Sequence, residues 1–184
     1  MSNVPNRKHI RLRTFDYASN GFYFVTICAW NRESLFGEIR NGHMELNPPG
    51  NIVSEEWTRT IQVRMDMHAG EYVVMPNHFH GILQIEKKGL DSYRQTNTAT
   101  GTARARAVSN TALQSPSGTV GAMVRGFKGA VTSRINQMMG VQGKPIWQGN
   151  YYEHIIRDED EYWRIVEYIR NNPIRWSEDT YFMP

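Results

Sequence analysis

The spacing of hydrophobic positions changes period several times along the chain, and each change predicts an element. GFYFVTICAW, residues 21–30, is rich in β-branched and aromatic residues and predicts a buried strand. After the turn-like NRES, LFGEIRNGHMELN predicts a hairpin, because Asn41-Gly42 suits a type I′ turn. Ile52, Trp57, Ile61 and Met65 recur at helical spacing and predict a first helix over about 50–65. EYVVM and HFHGILQIE read as two strands around a Pro76-Asn77 break, where either a tight antiparallel turn or a bulge marked by the proline fits. Alternation then gives Phe79, Leu83 and Ile85 one face, and His78, His80, Ile82, Gln84 and Glu86 the other.

Beyond this the pattern weakens and returns. Residues 88–118 are rich in Thr, Ser, Ala, Asn, Gln and Arg with almost no large apolar side chain, which predicts a mobile excursion. Residues 119–139 resume a helical stripe of Val120, Met123, Val124, Phe127, Val131 and Ile135, with Arg125, Lys128 and Arg134 off it as a basic outer surface. IWQGNYYEHII predicts a final strand over 146–156. Asp158 followed by Glu161 is a capping-box-like start for the last helix, and Pro173 is its stop. On that helix Tyr162, Ile165, Val166 and Ile169 form an apolar face, while Arg164, Tyr168 and Asn172 fall at i, i+4 and i+8 on a polar stripe. The order of elements predicts an α+β fold in which helices cover one face of an antiparallel sheet and the other face is left for a site.

Composition narrows the class. A chain of 184 residues is expected to form one domain, 1–184, able to bury roughly two thirds of its unfolded surface. The single Cys28 excludes a disulfide within one chain and fits a reducing, cytoplasmic location. The N-terminal segment is polar and basic, unlike a signal peptide, and the longest apolar runs fall far short of the roughly 20 residues of a spanning helix, so no membrane partner is expected. Net charge is only +3, yet Arg7, Lys8, Arg11 and Arg13 precede the first acid, and between Lys87 and Arg134 the only acid is Asp91. Such clustering suggests a polyanionic partner, most simply nucleic acid; a solvated charged surface is the alternative.

The paired histidines could bind a metal, perform proton chemistry or simply hydrogen-bond. A tyrosine on the polar stripe of the last helix, rather than its apolar face, is placed for chemistry; a surface tyrosine is the plain alternative. Taken together these residues make physical sense as phosphodiester cleavage. Two imidazoles can ligate one divalent cation, an amide oxygen such as that of Asn172 suits Mg²⁺ or Mn²⁺, and the Tyr168 hydroxyl is a competent nucleophile. His154, beside Glu153, either orients a ligand or is a buried, hydrogen-bonded histidine. Tyr151 and Tyr152 rival Tyr168 but fit core or base-stacking roles near Trp147 better. His9, His43 and His68 lack a partner at ligand spacing. A hydrolase with its HxH on a barrel strand would need about 250 residues.

VVMPNHFHGIL, IWQGNYYEHIIR and VEYIRNNP, with the opening FDYASNGFYFVTICAWNRESLFG, resemble the REP-associated tyrosine transposases of the single-tyrosine HUH superfamily. The resemblance spans nearly the whole chain apart from the low-complexity excursion. It implies a ferredoxin-like fold with the catalytic C-terminal helix against the sheet face opposite the other helices. It implies His78 and His80 as metal ligands, Asn172 as a further ligand and Tyr168 as nucleophile; His154 and Arg164 are candidates, apart from the resemblance, for residues behind them. The activity implied is cutting and rejoining of single-stranded or hairpin DNA at palindromic repeats through a 5′-phosphotyrosine, by a monomer or a homodimer. A protein of the same fold that grips structured nucleic acid without cutting is the other reading. Charge alone nominates Arg11, Arg13, Arg125 and Lys128 for DNA contacts.

Overall fold

The computed structural model describes residues 19–87 and 118–183. Arg11, Arg13 and, apart from Gly118, the excursion expected over 88–118 lie outside the described residues. Strand β1 (Gly21–Cys28) is followed by the hairpin β2 (Gly37–Arg40) and β3 (His43–Leu46). Asn41 and Gly42 take φ values of 53° and 77°, the pair of positive angles a type I′ turn requires. Helix α1 (Pro48–Gln62) starts at Asn47, whose side chain accepts from the Gly50 N–H, and its first positions are prolines, which need no donor there.

The expected stripe of this helix overreaches at its end. Arg64 N–H already bonds back to the Ile61 carbonyl so that the chain can turn into β4 (Met67–Val74), and Met65 is left 96 % exposed. Strand β5 (His78–Ile85) follows tightly, with the Met75 N–H bonded to the His78 carbonyl at 2.8 Å. The bulge in this pair lies between Ala69 and Tyr72 rather than at Pro76. Gly70 permits the close approach there, since a Cβ on it would sit 2.9 Å from that of Ile82. His68 is an exposed residue of β4.

Helix α2 (Val120–Met139) is capped by Thr119, and its predicted stripe is wholly buried. The outer surface of this helix is less free than its sequence suggests. Arg134 binds Glu55 and Glu56 of α1 at 2.7 and 2.8 Å, and the Lys128 ammonium binds the carbonyls of Gln148 and Gly149 at 2.6 and 3.1 Å. Those carbonyls are thereby withdrawn from the sheet, and the last strand is shorter than predicted. Trp147 makes a single bridge to Ala29, and β6 begins only at Tyr152 (Tyr152–Ile156). Helix α3 (Glu159–Asn171) opens at Asp158, which accepts from the Glu161 N–H at 2.8 Å.

The antiparallel sheet has the order β4-β5-β1-β6. With α1 and α2 as its crossovers, this is the split β-α-β arrangement of a ferredoxin-like fold. Tyr23, Val25, Ile27, Phe79, Leu83 and Ile85 point to one face and form the main core with α1 and α2. Phe24, Ile82 and Ile156 point to the other, where Val166 and Ile169 of α3 cover them. No helix among the described residues is long and apolar enough to cross a membrane.

Trp57 joins the layers, its ring 4.6 Å from Phe79 of the sheet and 5.4 Å from Phe127 of α2. Trp57→Ala is expected to lower unfolding free energy by about 3–5 kcal/mol in denaturant titration. The same change at exposed Trp163 is expected to stay within about 0.5 kcal/mol.

Candidate functional site

Strand register lines up the site before any loop contributes. Val73, His80, Thr26 and Tyr152 lie in one row across the sheet, and His78 stands opposite Cys28 at the end of β1. With Thr26 beside His80, its Oγ1 comes within 2.8 Å of the ring Nδ1. The Asn77 amide donates from Nδ2 to the main-chain carbonyls of Arg32 and Tyr181, at 3.2 and 2.8 Å. That fixes its Oδ1 toward His78 Nδ1 at 2.9 Å. An amide oxygen can only accept, so His78 carries its proton on Nδ1 and has a bare lone pair on Nε2.

The two Nε2 atoms are 3.0 Å apart. His80 can donate from Nε2 to His78, or donate from Nδ1 to the Thr26 hydroxyl and leave Nε2 bare; the hydroxyl serves either form. The second form turns two lone pairs toward one point, the geometry of a metal-ligating pair with each ring oriented from behind. Both rings are buried. Burial pulls the His78 pKa down to about 4, against the nearby Asp179 carboxylate and with help from Arg32. Burial and then His78 hold His80 well below the usual imidazole range. At neutral pH both are uncharged, the state a cation needs in its ligands.

Helix α3 brings the Tyr168 hydroxyl to 3.2 Å from His80 Nε2, with its ring edge-on to Phe24. Burial first, and then the charge of Asp179, push this phenol up to about 12, while a hydrogen bond with Asn172 pulls the other way. Asn172, just past the helix, donates from Nδ2 to Asp179 Oδ2 at 2.9 Å, and its buried Oδ1 has no hydrogen-bond partner. His78, His80 and Asp179 each offer a ligating atom within 4.8 Å of the others. Two neutral nitrogens, a carboxylate and an orphaned amide oxygen form a donor set that fits one divalent cation.

Asp179 was not foreseen from the sequence. It follows the short turn Trp176–Glu178, and the chain beyond packs the Tyr181 ring 4.6 Å from that of His78. No periodic pattern relates this tail to the histidines, and the only local signal is an acid within an aromatic segment.

The remaining candidates fall in different places. His154 meets Glu161 at 2.8 Å, and Glu161 also accepts from the Arg157 N–H, so His154 ties β6 to the first turn of α3. Arg164, Tyr168, Asn172, Arg175 and Asp179 line an open cavity of about 430 Å³ beside the phenol. Tyr151 packs against the main core and bonds Glu153 at 2.7 Å, whereas Tyr152 lies on the histidine face. Arg125 is exposed on α2, across the sheet from the histidines.

A pH dependence follows from the histidines. In the unfolded chain an imidazole takes its proton near 6.5, whereas His78 does so near 4 when folded, so the unfolded state binds more protons between these values. Metal-free protein is therefore expected to lose stability as pH falls from about 6.5 to about 4, by roughly 3 kcal/mol from His78. Denaturant unfolding in chelator should show this slope and its weakening in His78→Gln; a flat profile for the unaltered chain would contradict it.

No protein-family model matches the chain. An uncharacterized protein of Haemophilus influenzae is 41 % identical over 182 residues, covering 98 % of this chain and 95 % of that protein. The solved structure of the REP-associated tyrosine transposase bound to a REP hairpin superposes with a TM-score of 0.58 at 19 % identity, over 90 % of this chain and 73 % of that one. The chain thus belongs to one family with the Haemophilus influenzae protein and carries the fold of the REP-associated tyrosine transposase.

Proposed function

We propose that this protein is a metal-dependent DNA transposase and endonuclease that cleaves and rejoins single-stranded DNA at palindromic hairpins. The observation that carries this reading is the approach of the Tyr168 hydroxyl to 3.2 Å from His80 Nε2, on the face that also gathers His78, Asn172 and Asp179. The likeness of fold to a transposase bound to a REP hairpin supports DNA as the partner. A divalent ion, Mg²⁺ or Mn²⁺, held by His78 and His80 with Asn172 or Asp179, would polarise the scissile phosphate and offset charge as the phosphorus is attacked.

The chain's own groups do the rest. Asn77 and Thr26 orient the imidazoles, so the His78 lone pair is presented as it stands and that of His80 is presented in the form protonated on Nδ1. The Tyr168 oxygen attacks phosphorus, its new bond forms as the bond to the 3′-oxygen breaks, and the phenolic proton ends on the freed 3′-hydroxyl. The 5′-phosphotyrosine keeps the energy of the diester, so another 3′-hydroxyl can reverse the step and rejoin strands. Arg164 lines the cavity beside Tyr168, and His154 holds the start of the same helix through Glu161. Arg125, with Arg11 and Arg13, is assigned to backbone phosphates; the Lys128 ammonium is already engaged with two carbonyls.

Incubation with single-stranded hairpin DNA and Mg²⁺ or Mn²⁺ is expected to give a covalent adduct in a denaturing gel. Tyr168→Phe should abolish it, and His78→Ala or His80→Ala should do so while hairpin affinity stays within about threefold, since phosphate contacts dominate binding. With the phenol of the metal-free site pushed up to about 12, it is protonated at neutral pH, and adduct formation should speed up from pH 7 to pH 9. An adduct that survives Tyr168→Phe would place the nucleophile elsewhere, and none across a panel of hairpins would leave a protein that binds without cutting.

A further inference from the structure

Just beyond the end of β1 the chain makes a turn, Trp30–Arg32, in which Asn31 (φ 53°) and Arg32 (φ 56°) are both left-handed. Non-glycine residues adopt that backbone at a cost of roughly 1 kcal/mol each or more, so something must hold it. Trp30 N–H bonds the Ile146 carbonyl at 2.8 Å, Arg32 N–H the Ala29 carbonyl at 3.1 Å, and Glu33 N–H the Trp30 carbonyl at 3.1 Å. The Arg32 carbonyl accepts from Asn77 Nδ2, the same amide that orients His78. The turn is therefore rigid and joined directly to the histidine site.

Its side chains are left for something else. The Trp30 ring is 44 % exposed, and its indole makes no ring contact or hydrogen bond among the described residues. Trp163, also exposed, differs: its N–H is given to Glu159 and its ring packs edge-on against Tyr162. The Arg32 guanidinium lies 5.4 Å over the Tyr181 ring, and that ring faces His78. Arg32 has no carboxylate partner among the described residues, whereas Arg40, Arg59, Arg134, Arg170 and Arg175 each have one.

We propose that Trp30 and Arg32 form a nucleotide subsite at the lip of the histidine site, with Trp30 stacking on an unpaired base of the DNA strand and Arg32 contacting its phosphate. This rests on the reading of the protein as acting on single-stranded DNA. An aromatic face beside a cation is the chemistry that holds a single strand, because every base has a face to stack and every nucleotide a charge to pair. A tryptophan whose backbone is already fixed loses little freedom on binding.

The test uses the full chain carrying Tyr168→Phe, so that no strand is cut, and fluorescence anisotropy against a hairpin with and without a single-stranded extension. Trp30→Ala is expected to weaken the extended DNA about tenfold, with the bare hairpin unchanged and Trp30→Phe restoring most of the loss. Removing one base from the extension should cost the parent chain the same factor and cost Trp30→Ala nothing. Arg32→Gln should reduce the slope of log affinity against log salt by about 0.7, the value for one single-strand phosphate. Equal weakening of both DNAs by Trp30→Ala, or no weakening of either, would overturn the subsite, as would an unchanged salt slope in Arg32→Gln. The adduct assay with unaltered protein reads the cutting activity separately, so failure of the subsite and failure of that activity are told apart.

Discussion

Two imidazoles with their Nε2 atoms 3.0 Å apart, both removed from water, are the constraint on which this structure turns. Neither can be charged without a large desolvation penalty, and a like charge 3.0 Å away would add to it. Burial keeps the pair neutral against the pull of the Asp179 carboxylate, and hydrogen bonds keep it aimed. Asn77 fixes the proton of His78 on the far nitrogen, and Thr26 accepts or donates as His80 requires. Asn77 is in turn fixed by carbonyls from two distant segments, the turn after β1 and the C-terminal tail. A cation would meet the two imidazole nitrogens, the Asp179 carboxylate that Asn172 and the Tyr181 N–H hold in place, and the Asn172 oxygen that has no other partner.

The sheet makes such a cluster affordable. Its opposite face carries the main core with α1 and α2, where the tilted and edge-on rings of Trp57, Phe79 and Phe127 pack across three elements. The face bearing the histidines is covered by far less: Val166 and Ile169 of α3 on Phe24, Ile82 and Ile156. Polar contacts then set the angle of that helix. His154 and Glu161 hold its first turn to β6, while Arg170 grips Glu71 of β4 with both ends of its guanidinium. Stability is concentrated on one side of the sheet, and the polar chemistry on the other is positioned by hydrogen bonds rather than by packing.

Much of this was legible in the residues because short-range rules govern it. Alternation along β5 separated the histidines from Phe79, Leu83 and Ile85, and the Asn41-Gly42 pair marked its hairpin because few residues tolerate two successive positive φ angles. The i, i+4 spacing put Tyr168 and Asn172 on one stripe of α3. What sequence could not give depends on partners far along the chain. Met65 continues the period of α1 but falls where the chain must already turn toward β4. The strand expected from Ile146 starts only at Tyr152, past the two carbonyls that Lys128 holds, and Asp179 reaches the site only because the tail folds back over His78. Charge clustering showed where cations lie but not that Arg134 is held by Glu55 and Glu56.

The most direct test of this account is electron spin-echo spectroscopy of Mn²⁺ added to chelator-stripped protein. Convergence of both imidazoles on one ion predicts nitrogen couplings from two histidine rings, reduced in His78→Ala and in His80→Ala, with affinity lowered in Asp179→Asn. A bound ion whose spectrum shows only water and oxygen ligands, or nitrogen couplings indifferent to both histidine substitutions, would contradict it.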